Sequence, residues 1–119
     1  MAISFSYEHR PRYAVVRVDG DPAIEEFLSF IEALGRDSAG WASRDALIDL
    51  RSIRSLTAFT EHYAIGEAVA RHMPHLRRVA SVVPGDRITR VSEKTAQRSG
   101  VNLVVFTSEG EAISWLTAA

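Results

Sequence analysis

Ala46-Leu47-Ile48-Asp49-Leu50 is a short, nearly unbroken apolar run with a single carboxylate in its fourth place. Five residues are too few for a stable helix, and an apolar stretch of this length suits a central strand covered on both faces, as in a parallel sheet. Upstream, Ile24, Phe27, Leu28, Ile31 and Leu34 recur at helical spacing and form one apolar stripe. Asp21 and Pro22 suit a helix start, and Gly35 suits its stop. Asp37–Arg44 then reads as a polar loop carrying Trp41. Further upstream, Ile3–Glu8 alternates apolar and polar residues, and Tyr13–Val18 resumes after Pro11, so the two read as an antiparallel hairpin.

Downstream, Phe59, Tyr63, Gly66, Val69, Ala70 and Met73 mark a second helix that ends before Pro74. Gly66 and Ala70 would let it approach a neighbour closely. Val79–Val83 is a strand closed by Pro84-Gly85. Asp86 is placed to cap a third helix that turns Ile88, Val91 and Thr95 inward and ends at Gly100. Leu103–Phe106 is the last strand, and Ser108 to Glu111 is a capping box opening a helix that buries Ala112, Ile113, Leu116 and part of Trp115. The predicted order is β-β-α-β-α-β-α-β-α, an α/β fold whose five-stranded sheet is mixed but mostly parallel, with about four helices.

The chain has 119 residues, 46% hydrophobic and 24% charged, which fits one globular domain over residues 1–119. It has no cysteine, so disulfides, thiolate metal sites and cysteine nucleophiles are excluded. No secretory leader and no apolar run of membrane-spanning length is read, and a cytoplasmic location is expected. The formal net charge is −1, and no nucleic-acid-reading motif accompanies it, so a nucleic-acid partner is not expected.

The element order and three passages resemble the STAS/SEC14-type bacterial proteins, a SpoIIAA-like branch of the anti-sigma-factor antagonist superfamily. The passages are Ala46–Leu50, Arg78–Gly85, and Asn102–Leu116 with its Phe106 and Trp115-Leu116. The resemblance implies a non-catalytic regulatory module with a protein partner. In antagonists of this superfamily the Asp-Leu strand leads to an Asp-Ser-Ser-Gly loop carrying a phosphorylated serine. The matching stretch here is Thr57-Ala58-Phe59-Thr60, so Ala58 and Phe59 occupy the serine slots and the usual phospho-switch does not carry over. Thr57 or Thr60 reads either as a substitute acceptor or as the cap of the second helix. The departure favours the SEC14-like side of the superfamily.

The residues themselves offer no phosphate-binding glycine loop and no nucleophile elbow. His72 and His75 lack a nearby third ligand, so exposed helix-end histidines are expected and no metal or cofactor is. The carboxyl rim of the sheet should gather Asp19, Asp21, Asp49, Asp86, Thr107 and Ser108 near Arg51, Arg54 and Arg87. That rim reads as an anion or loop-binding surface, or as a set of caps. Asp49 ends a buried strand and needs an arginine or backbone N–H partner. Arg87, Arg90, Lys94 and Arg98 form a basic stripe on the third helix, read as a solvated face or a contact with anionic membrane.

Two functions compete. One is a protein-interaction module, self-associating as a homodimer, that presents the loop 51–60 and the second helix through Asp49, Arg51, Thr57, Phe59, Thr60, Tyr63 and Ile65. The other is a SEC14-like carrier of a small apolar or lipid ligand in a pocket beneath the second helix, with peripheral membrane contact. For any one of Phe59, Tyr63, Ile65, Met73, Trp41 and Trp115, plain core is the expected role.

Overall fold

A computed structural model of the chain describes residues 3–85 and 90–118. The strands are β1 (Ile3–His9), β2 (Ala14–Gly20), β3 (Asp45–Asp49), β4 (Arg78–Val82) and β5 (Leu103–Phe106). The helices are α1 (Ile24–Ser38), α2 (Phe59–His72), α3 (Val91–Arg98) and α4 (Glu109–Leu116). Strand order in the sheet is β1-β2-β3-β4-β5, antiparallel between β1 and β2 and parallel thereafter. The predicted class and element order both hold. The run Ala46–Ile48 lies in the central strand, with every one of its side chains buried.

The strand order explains the layering. Three consecutive crossovers step in one direction across the sheet, and right-handed crossovers that never reverse place their helices on one face. Val16, Val18, Ala46, Ile48, Val79 and Leu103 face that layer, which α1, α2 and α3 build. α4 is not a crossover and folds over the other face, where Val15, Leu47, Ala80 and Val82 meet Ala112 and Leu116. Alternate residues of each inner strand thus feed two separate cores, which is why β3 reads as continuous apolar sequence.

Two glycines set the helix spacing. A Cβ on Gly66 would lie 2.6 Å from the Ser92 carbonyl oxygen and 2.7 Å from Thr95 Cβ, so the expected close approach of α2 is made to α3. Gly35 does not stop α1, which runs on to Ser38. It is buried in the last turn of α1, where a Cβ would fall 2.5 Å from the His72 carbonyl oxygen. Its sequence position resembled a C-terminal signal, but its role is to admit α2.

The helix starts differ from expectation in the same way. α1 is capped at Ala23, whose N–H donates to the Glu26 carboxylate at 2.9 Å, and Asp21 is not the cap. α2 is capped at Ala58, whose N–H donates to Glu61 at 3.0 Å, so neither Thr57 nor Thr60 caps it. In both, a glutamate three residues inside the helix serves the start, and no hydroxyl is needed. Ser108 does cap α4, its hydroxyl accepting from the Glu111 N–H. The cap expected at Asp86 and the inward Ile88 lie outside the described residues.

Candidate functional site

The loop between β3 and α2 positions the candidate site. Ile53 and Leu56 are buried, and the Ser55 hydroxyl donates to the Pro22 carbonyl oxygen at 2.8 Å, tying the loop to the start of α1. Leu56 adopts a φ of 66°, the left-handed region that a leucine enters at a cost of roughly 1 kcal/mol. Burial of its side chain holds it there.

Beneath this loop and the first half of α2 lies a cavity of about 430 Å³. Phe27, Phe30 and Ile31 of α1 form one wall, Ile48, Ser81, Leu103 and Val105 the sheet floor, and Phe59, His62 and Ile65 of α2 the roof. Thr57 and Phe59 are the exposed lining residues and mark its mouth. The glycine contacts at Gly66 and Gly35 draw the later turns of α2 onto its neighbours, while its first two turns stand over this space.

The described lining residues include no lysine, arginine, aspartate or glutamate. Five lining side chains are polar; Ser55 is committed to the Pro22 carbonyl oxygen, Thr57 lies at the mouth, and the others are Ser81, Ser92 and His62. Ser81 and Ser92 are 9% and 8% exposed, and His62 is half-buried. No hydrogen bond joins the Ser81 or Ser92 hydroxyl, or the His62 ring, to another described residue, and each reaches open space. Burial lowers the His62 pKa, with Glu61 partly opposing it, so the ring is neutral at neutral pH.

The residues singled out from sequence divide between the two faces of the sheet. Thr57, Phe59 and Ile65 come together at the cavity. Tyr63 and Thr60 are exposed on α2. Phe59 and Tyr63 are not core: they are 69% and 42% exposed, because the first turns of α2 do not settle on the sheet. Asp49 and Arg51 belong to the α4 side instead. Asp49 accepts from Arg17 at 2.8 Å, from the Arg51 side chain at 2.9 Å twice, and from the Arg51 N–H at 3.1 Å. Glu109 accepts from Arg17 at 2.9 Å and from Arg51 at 2.7 Å. Burial pushes the Asp49 carboxyl up, but these donors outweigh it and hold the pKa at about 2. These two arginines and two carboxylates neutralise one another and tie β2, β3 and α4 together.

The basic stripe is likewise partly committed. Arg90 donates to the buried Glu93 at 2.9 Å and to the Val105 carbonyl oxygen at 3.3 Å. Lys94 and Arg98 are exposed, and Arg87 lies outside the described residues. The histidines are not simply exposed helix ends. His75 shares a 2.8 Å hydrogen bond with Ser38, and His72 is half-buried against Gly35. Among the described residues no group of three or more His, Asp or Glu is placed to hold a metal. No helix among them is long and apolar enough to cross a membrane.

Ser81, Ser92 and His62 were not singled out from sequence. Ser81 had a signal: it is the one hydroxyl inside the apolar run Val79–Val83.

This arrangement, a mixed sheet whose crossovers all step one way, with three helices on one face and a fourth on the other, is that of a SpoIIAA-like domain. The chain matches the SpoIIAA-like family over residues 13–117 and belongs to it. Among solved structures it is similar to an anti-sigma factor antagonist from Mycobacterium paratuberculosis, with a TM-score of 0.65 at 16% identity over 97% of this chain and 94% of that one. It is also similar to an uncharacterized DUF3478-family protein with a SpoIIAA-like fold from Shewanella loihica, with a TM-score of 0.53 at 18% identity and the same coverage of each chain. No curated protein matches it.

Proposed function

We propose that this SpoIIAA-like domain is a regulatory module that presents the loop 51–58 and the first two turns of α2 to a protein partner. One observation carries this reading: Phe59 and Tyr63, one helical turn apart, are large apolar side chains left 69% and 42% exposed. Exposed aromatics clustered on one helix face are what a partner surface buries. The serine slots are filled by Ala58 at the cap and Phe59 at the first helical position, so regulation does not run through a phosphoserine there. The test is affinity capture from native cytoplasm by the wild type and by a Phe59→Asp, Tyr63→Asp variant. Loss of a specific partner on mutation supports the reading, and unchanged capture counts against it. Light scattering during gel filtration distinguishes a second copy of the chain from a foreign partner.

A second reading is SEC14-like carriage of a small apolar molecule, and the 430 Å³ cavity under α2 favours it. The volume falls within the range of roughly 300–1,000 Å³ typical of small-molecule sites. Membrane approach by the basic stripe is its weaker part, since Arg90 is engaged with Glu93. Native mass spectrometry of the purified protein tests this reading through a co-purifying ligand.

A further inference from the structure

We infer that the cavity under α2 takes a single uncharged molecule, chiefly hydrocarbon with one hydrogen-bonding end that meets Ser81, Ser92 or His62, and that it discriminates against charged head groups. This inference rests on the ligand-binding reading above and specifies its chemistry.

The argument starts from what fills the space otherwise. At about 30 Å³ each, roughly a dozen waters would be needed. A buried water needs two to four polar partners, and the lining side chains offer only a few hydroxyls and one imidazole. Liquid water is therefore poorly held against walls of Phe27, Phe30, Ile31, Ile48 and Leu103, and an apolar ligand displaces it favourably.

Charge is the second constraint. With no charged side chain among the described lining residues, an ionised head group would be desolvated without a counter-ion, which is heavily disfavoured. A neutral His62 both donates and accepts, as do the two serine hydroxyls. All three suit an alcohol, ketone or amide. Ser81 and Ser92 are each more than nine-tenths buried and lack a partner among the described residues, so a ligand atom would complete them.

Length follows from volume. A methylene takes about the space of a water, so about 430 Å³ admits a chain of around ten carbons with slack.

The experiment uses three ten-carbon probes on the full chain: decan-1-ol, decanoate and decyltrimethylammonium, each below its aggregation limit. Binding is read by calorimetry and by methyl NMR shifts of Ile48, Ile65 and Val69. Expected are one saturable decan-1-ol site per chain and at least tenfold weaker binding of both ions. A Ser81→Ala, Ser92→Ala variant, which adds no volume, should bind decan-1-ol about three- to tenfold more weakly. Equal or tighter binding of an ion overturns the inference while leaving the ligand reading standing. Unchanged affinity in both the double variant and a His62→Phe variant overturns the assignment of the polar end, and absence of saturable binding by all three probes removes both the inference and the reading beneath it.

Discussion

Gly66 of α2 faces the backbone of Ser92 in α3 so closely that a Cβ at position 66 would sit 2.6 Å from the Ser92 carbonyl oxygen. Such a contact has no room for a methyl group, and the obstruction is backbone, not a mobile side chain. Gly66→Ala gains about 1 kcal/mol in helix propensity, yet overpacking of this kind costs about 1–3 kcal/mol. The variant should unfold at lower urea concentration than the wild type. An unchanged or raised midpoint would show that α2 and α3 can separate freely.

Asp49 gives the domain an acid limb. Its pKa is held at about 2 against an ordinary 3.8, so its contribution is complete above pH 4 and is lost as the pH falls through the folded value. The loss amounts to about 2 kcal/mol. Glu109, held down by Arg17, adds in the same direction. Asp49→Asn should cost about 2–4 kcal/mol at neutral pH, because Arg17 and Arg51 lose their shared carboxylate. The variant's stability should also fall less between pH 4 and 2, which denaturant titrations at each pH measure.

Glu93 seals one edge of the sheet. Its carboxylate accepts from the outward N–H of Val105 in β5 at 2.9 Å, and Gln97 donates to the Leu103 carbonyl oxygen on the same edge. Unpaired edge groups invite pairing with other chains, and these side chains occupy them. Glu93→Ala should destabilise the fold by about 1–3 kcal/mol and speed hydrogen exchange at the Val105 amide. Protection at Val105 equal to the wild type would contradict this role.

Ser81 and Phe59 should respond oppositely to the usual expectations for core and surface. Ser81→Val replaces a hydroxyl that opens onto the cavity and lacks a partner among the described residues with a β-branched apolar side chain on the cavity floor. Thermal unfolding should show it stabilised, by roughly 1 kcal/mol. Phe59→Ser removes an aromatic ring that is 69% exposed and should change stability by no more than about 0.5 kcal/mol. A large loss from Phe59→Ser would mean that its ring is core after all.

Part of the site could be read from the chain alone. Phe59 and Ile65 exceed what one helical stripe needs to bury, and both reach the cavity along with Thr57. His62 carried no such mark, since its helical position is compatible with solvent. Ser81 stood out only as a hydroxyl among valines, and nothing local tells whether such a group is bonded or left facing a void. Asp49 was expected to need an arginine or a backbone N–H, but Arg17, thirty-two residues earlier, became its partner only when β2 and β3 paired in register.

The order of strands and helices, the burial of both faces of β3 and the cap at Ser108 follow from the sequence by itself, because side-chain period and cap chemistry act over a few residues. Tertiary structure decided that Gly35 is a contact point and not a stop, that Arg17 and Arg51 neutralise Asp49 and Glu109, and that α2 leaves an unfilled space at one end. Those outcomes depend on distances between segments far apart in the chain, which packing sets and local periodicity does not encode.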